Sequence, residues 1–576
     1  MTEPRRVGAE AAVRLLHVAD AYWTAQMADH PLYATAIGDR RYLTALGPND
    51  LEALGRSESR LRTFVAKVEE IPDQALAAPD RITRAALLDE LRYELALVGS
   101  GTAAWAVDPL DGPQVELLNV ASYQPLATPQ DGAAAVARWR EMGPWIDRHV
   151  ERLRSTAREG LVAPRSLVDS VVDELDDLLA TADEAWPLYA LPTADRPRWS
   201  ALERMRFSNE LADAIRDGIR PAFERQRAFL ADELRPIARP DDRAGLAHVP
   251  GGEAAYRLLA AGHTTLDLTP AAIHEIGIEE IGRVDAEFAE LGGRLLGVDG
   301  TAATLDRLRH DPALRFPTRD EVRETAEASL RRATAAIPAW FGRLPQAPCH
   351  VVVMGDHEAK HSTIAYYRQP AADGSRPGSY YINTTLPETR PRYEAEALAF
   401  HEAVPGHHLQ LAIAQELTDL PAFRRFGGAT AFIEGWALYT ERLAQEMDLY
   451  SGPLDRFGIL SFDAWRASRL VVDTGMHALG WTRGQAIDYM LAHTALAENN
   501  IVNEVDRYLA MPGQALAYKA GQLEIVRLRR TAEAALGGRF EIRGFHDAVL
   551  GDGAVGLGTL GGIVQRWIEG SAAERR

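Results

Sequence analysis

Residues 392–417 read RYEAEALAFHEAVPGHHLQLAIAQEL. Both flanks have the composition and spacing of helix: Ala, Leu, Glu and Gln dominate, with apolar residues three and four apart. Between them, His401-Glu402-Ala403-Val404-Pro405-Gly406-His407-His408 holds three of the chain's 16 histidines. Pro405 cannot donate to the carbonyl of residue 401 and clashes with it, and Gly406 tolerates the backbone that results. The stretch predicts a helix with a two-residue bulge at the Pro-Gly step, and bulges of that kind recur at functional sites.

Outward from this segment the helical pattern continues. Residues 9–28, 51–70, 80–98, 132–158, 166–184, 200–233 and 270–292 repeat it, and Thr269-Pro270 supplies a cap and a helix-starting proline. Pro- and Gly-containing breaks fall near 106–114, 192–199, 235–252 and 343–349. After the last come two β-like runs, CHVVVMGD from Cys349 and SYYINTT at 379–385. The expected fold is mainly α, a multi-helical, two-lobed, metallopeptidase-like architecture with a central cleft and a small sheet near 348–385. Residues 1–340 form a helical N-terminal region, and 341–576 a catalytic region carrying the sheet and the histidine helix.

Composition bounds the function. Hydrophobic residues make up 46% and charged residues 25% of 576, ordinary globular values for a chain long enough for more than one core. A net charge of −19 with no basic stripe argues against nucleic acid and anionic membranes. No apolar run approaches the roughly 20 residues of a bilayer span, and the N-terminus lacks the apolar core of a signal peptide, so a cytoplasmic protein is expected. Cys349 stands alone, which excludes disulfides within the chain and zinc sites made of several thiolates.

Histidine is then the ligand type to follow. In HExxH zinc sites two histidines one turn apart share an ion and the intervening glutamate activates water. Here position i+4 from His401 is Pro405, and the next imidazoles are His407 and His408. On a straight helix the latter lies about 10 Å further along the axis. The bulge brings His407 to the place of the second ligand, with His408 competing. Downstream, Glu434 sits in the apolar run TAFIEGWALYTERL at 430–443, where a buried carboxylate needs a partner such as a metal ion or an arginine. A literal HExxH stands at 357–361, His357-Glu358-Ala359-Lys360-His361. It directly follows a strand, places a cation inside the motif, and reads as a loop or short helix.

HEAVPGHHLQ and FIEGWALYTE resemble the bacterial family of domain of unknown function 885 (DUF885), itself similar to gluzincin-type zinc metallopeptidases. HPLYATAIGDRRY, GHTTLDLTPAAIHEIGIEEI, DGSRPGSYYINTT, RASRLVVDTGMHALGW and PGQALAYKAGQ extend the resemblance along most of the chain. It implies His401, His407 and Glu434 as zinc ligands, Glu402 as general base, and no site at 357–361.

Other polar groups complete the expectation. His477, four residues after Asp473 on a helix face, and Tyr518 are candidate oxyanion donors. Arg466 and Arg469 are candidates for a substrate carboxylate, with Lys519 a weaker one. SYYINTT is a candidate edge strand, its Tyr380, Tyr381 and Asn383 lining the cleft. The expected function is a zinc-dependent hydrolase of short peptides or related amides. The alternatives are an amidase acting on a non-peptide small molecule and a non-catalytic metal-binding protein.

Overall fold

The computed structural model describes residues 3–189, 198–355, 359, 363–372, 374 and 376–573. The chain is mainly α with one small sheet. Helices run over Glu3–Asp29, Leu51–Glu69, Ala78–Ser100, Pro129–Arg158 and Arg165–Ala180, close to the spans their periodicity predicts. The run at 200–233 is helical too, but π-type turns at Ile215–Ile219 and Phe229–Leu234 interrupt it. Among the described residues, no helix is long and apolar enough to cross a membrane.

Two cores are the largest among the described residues, and the second of them carries the site. One gathers Trp139, Ile146, Val171, Leu211, Phe223 and Leu230 from residues 107–238. The other, larger one joins Leu15, Tyr22, Leu87 and Leu91 to Tyr380, Phe400, Trp436, Ile525 and Phe545. It thus draws on both sides of residue 340. Full burial of each such side chain contributes roughly 1.5–3 kcal/mol, so the N-terminal helices help to hold the histidine segment in place.

The sheet has strands β1 (Cys349–Val353), β2 (Ala365–Arg368) and β3 (Gly378–Ile382) in the order β1-β3-β2. β1 runs parallel and β2 antiparallel to β3. SYYINTT therefore supplies the central strand, not the edge strand expected of it, and its nearly continuous burial fits that place. The edge beside it is AYYR, too short to show an alternation in sequence.

The site-forming helices are α1 (Pro270–Leu295), α2 (Ala395–Glu402), α3 (His407–Glu416), α4 (Thr430–Glu446), α5 (Arg456–His477) and α6 (Leu516–Leu536). Thr269 caps α1 as expected, its hydroxyl accepting from the Ala272 N–H at 3.2 Å. α4 and α6 cross with backbone in contact. A Cβ on Gly435 would lie 2.4 Å from Gly521 backbone, and one on Gly521 1.8 Å from the Ala431 carbonyl oxygen, so neither position admits a larger residue. A buried charge cluster ties α1, α4, α5 and α6 together around Asp463. Arg283 and Arg442 each donate to it at 3.0 Å, and Lys519 pairs with it as well.

Candidate metal centre

The histidine segment is broken, not bulged. α2 ends at Glu402, Ala403–Gly406 form a turn, and α3 starts at His407. The His408 N–H donates to the Ala403 carbonyl at 3.0 Å, so the chain re-enters helix rotated relative to its first half. Gly406 passes so close to α2 that a Cβ there would lie 1.9 Å from the His401 carbonyl oxygen. Trp436 pins the turn by donating its indole N–H to the Pro405 carbonyl at 3.0 Å. Proline ends the first helix, glycine permits the close return, and an aromatic from α4 fixes the angle.

That return brings two imidazoles together. The rings of His401 and His407 stand edge to face, 4.8 Å apart. Glu434 Oε2 is 3.8 Å from His401 Nε2 and 3.5 Å from His407 Nε2. One donor atom from each of the three lies within 4.8 Å of the others. Ligand atoms around a tetrahedral zinc are roughly 3.4 Å apart, so small side-chain rotations suffice to close the set on one ion. The histidine side chains are nearly inaccessible, at 3% and 10%, and Glu434 is 19% exposed, which leaves the carboxylate side of the group open.

His408 is turned away. Its Nε2 donates to the Ala347 carbonyl at 3.0 Å, and its Nδ1 accepts from the Tyr367 hydroxyl at 2.9 Å. With both ring nitrogens bonded, this imidazole locks α3 to the sheet. His357, Glu358, Lys360 and His361 lie outside the described residues.

Glu441 is the site residue that sequence reasoning missed. It lies two turns beyond Glu434 on α4, so the two carboxylates bracket His401 from opposite sides of its ring. Glu441 Oε1 is 2.8 Å from His401 Nδ1, which leaves Nε2 free to face the cluster. Burial pushes the Glu441 carboxyl well above its ordinary pKa and the His401 imidazole well below its own. Neither group favours charge where it stands, and a cation at the cluster would restore the carboxylate. A carboxylate behind a ligating imidazole fixes its tautomer and raises its basicity. Glu441→Gln is therefore expected to weaken metal binding about 10- to 100-fold, read by competition with a chelator; unchanged affinity removes Glu441 from the site.

The remaining electrostatics follow from crowding. Burial disfavours charge on His407, but Glu434 outweighs it and raises the imidazole above its ordinary value. Burial would raise Glu434, yet His407 holds it low. Glu402, beside His401 and half-buried, has its carboxyl raised by burial against the pull of His407. The Tyr367 backbone N–H favours its charged form. In the antiparallel register Asn383 donates to Ile364, so Tyr367 is a residue whose N–H points off the free edge of β2. The edge strand thus meets the helix that carries Glu402.

Several expected residues are placed elsewhere. His477 is buried, accepting at Nδ1 from the Leu246 N–H at 3.1 Å and donating from Nε2 to the Tyr508 carbonyl at 3.0 Å. Asp473 shares its helix face but accepts instead from the Tyr256 hydroxyl at 2.5 Å and the Gly513 N–H at 3.1 Å. Burial lowers the His477 pKa to about 3, so it is a neutral core histidine and not an oxyanion donor. Tyr381 stacks on Tyr366 at 4.7 Å, on the sheet face opposite Tyr367 and Tyr380. Asn383 is buried, donating to the Ala359 carbonyl at 2.7 Å and accepting from Thr385, so it shapes a turn and lines no cleft. Lys519 is committed to Asp463 and Glu280. Arg469 bonds Glu504 and the Tyr508 hydroxyl, each at 2.9 Å. Tyr518 lies with its ring 4.2 Å from the Arg469 guanidinium and 6.0 Å from that of Arg466.

The family model described as bacterial protein of unknown function (DUF885) matches residues 31–564. A solved structure from Colwellia psychrerythraea is similar at 25% identity and a TM-score of 0.90, over 98% of this chain and 99% of that one. A second, from Shewanella oneidensis, is similar in fold at 16% identity and a TM-score of 0.72, over 96% and 99%. Both are described as a "putative lipoprotein", the second as of unknown function. No curated protein matches the chain.

Proposed function

We propose that this chain, which belongs to the bacterial family of unknown function DUF885, is a zinc-dependent hydrolase of peptide or related amide bonds. One observation carries the reading: His401, His407 and Glu434 converge on a common point with Glu402 adjoining it. Two histidines and a glutamate with a fourth position left for water are one of the ligand sets that catalytic zinc uses, which supports the reading. A bound zinc would supply a Lewis acid for the attacking water and for the amide carbonyl.

The chain's own groups do the rest. Glu441 holds His401 in the tautomer that presents Nε2. Glu402 accepts a proton as the water oxygen bonds to the carbonyl carbon. It then delivers that proton to the nitrogen as the C–N bond breaks, giving a carboxylic acid and an amine. Apart from the Tyr367 N–H, which Glu402 engages, the outer edge of β2 can align an extended substrate by backbone pairing. Tyr518 keeps its role as an oxyanion donor within this proposal; His477 does not.

The test is metal content followed by hydrolysis. Purified chain reconstituted with zinc should hold one equivalent and release amines from a panel of short peptides and simple amides. His407→Ala should lose the zinc, and His408→Ala should keep it, because both His408 nitrogens are already bonded. Absence of zinc from native and reconstituted protein alike overturns the reading. Stoichiometric zinc without turnover of any amide favours a binding protein.

A further inference from the structure

Arg466 stands on α5 beside the cluster and is 4% exposed. Its Nε and Nη1 are buried with no hydrogen-bond partner, and among the described residues no carboxylate forms a salt bridge with it. Arg469, one turn on, shows the contrast, since Glu504 and Tyr508 engage it. A buried guanidinium lacking an acceptor is costly, and an arriving anion would supply one. The plane is also held ready, with Trp465 4.2 Å and Phe462 4.6 Å from the guanidinium carbon and Tyr518 further out. Aromatic faces orient arginine without using its N–H donors. Its charge acts first on the buried Glu441 behind His401 and extends to Glu434, Glu402 and both histidines, which puts the guanidinium on the cluster's side of α5.

We propose that Arg466 receives the substrate's α-carboxylate, which makes the substrate class an N-acyl-α-amino acid, the unit that ends every peptide. The proposal rests on the hydrolase reading and narrows it to removal of a carboxyl-terminal residue. Guanidinium and carboxylate match as a two-point fork, and the carboxylate of a terminal amino acid lies one residue from the amide to be cut. Water adds across that amide, the acyl part leaves as a carboxylic acid, and the free amino acid takes the proton on its nitrogen.

The experiment uses full-length zinc-reconstituted protein and matched probes: benzoyl-Gly-Ala, -Phe, -Arg and -Asp, each as free acid and as α-amide. The wild type should prefer at least one acid over its amide by roughly 100-fold in kcat/KM, the size of a lost buried charge contact. Arg466→Gln should reduce that preference to a few-fold while zinc content is unchanged, and Arg466→Lys should recover part of it. Calorimetric titration of the same probes into Glu402→Gln protein reads binding apart from turnover, and the acid alone should bind. If zinc is held and acids and amides are cleaved alike, the proposal falls and the hydrolase reading stands. If no amide is cleaved but the titration shows acid binding that Arg466→Gln abolishes, the carboxylate site stands and the hydrolase reading falls. If no acid binds, Arg466 serves only to balance Glu441. Should Arg466→Gln fail to fold, the acid-to-amide comparison in the wild type decides alone.

Discussion

On the proposed hydrolase reading, Glu402→Gln protein is expected to take up zinc as the wild type would and to hydrolyse amides roughly 10³-fold more slowly, within the range that a general base contributes. The substitution keeps the shape of the side chain and an oxygen that can still accept from the Tyr367 N–H. It removes the capacity to take a proton, together with a negative charge that is not itself a ligand. The three donor atoms of His401, His407 and Glu434 are untouched, so the metal should still be held. Metal analysis and steady-state rates on one preparation separate the roles. Wild-type turnover would remove Glu402 as the base. Loss of zinc would place it among the ligands.

What the sequence made legible here was local. Proline and glycine at 405–406 marked where the helix departs from regularity, read as a bulge, and the scarcity of histidine made His401 and His407 stand out. Glu434 was visible because a carboxylate amid Phe432, Ile433 and Trp436 needs a partner. Glu441 carried a similar signal, an acid two turns on along the same face, but YTERL reads equally as the start of a solvated stripe. The errors came from partners distant in the chain. Asp473 and His477 are four apart on α5, yet Tyr256, Gly513, Leu246 and Tyr508 satisfy them. Periodicity locates a shared helix face and says nothing of what packs against it. The choice between His407 and His408 was equally tertiary, since it depends on Tyr367 in a strand of four residues and on the Ala347 carbonyl. The break at Ala403–Gly406, where a bulge was expected, has the same origin: Trp436 fixes the angle from another helix.

Asp463→Asn is expected to lower stability by about 3 kcal/mol at pH 7, the low end for breaking a buried ion pair. Asp463 is 1% exposed and accepts from Arg283 and Arg442, with Lys519 also against it. Glu280 and Glu287 keep partial hold on the cations, with Lys519 3.0 Å from Glu280 and Arg442 3.2 Å from Glu287, which keeps the loss from being larger. Burial alone would raise the Asp463 carboxyl, but Lys519, Arg442 and Arg283 outweigh it and hold it far below the ordinary carboxylate range. A depressed folded pKa contributes stability above the unfolded value near 3.9 and loses it as pH falls toward the folded value. The gap between wild type and Asp463→Asn should therefore be widest at neutral pH and shrink below about pH 4. Denaturation midpoints of both proteins across that range measure it, and a gap independent of pH would mean the carboxylate's charge is not what holds α1, α4, α5 and α6 together. Because Arg442 is the chain neighbour of Glu441, loosening the cluster should also slacken the carboxylate behind His401. The variant is expected to bind zinc more weakly although Asp463 touches none of the ligands.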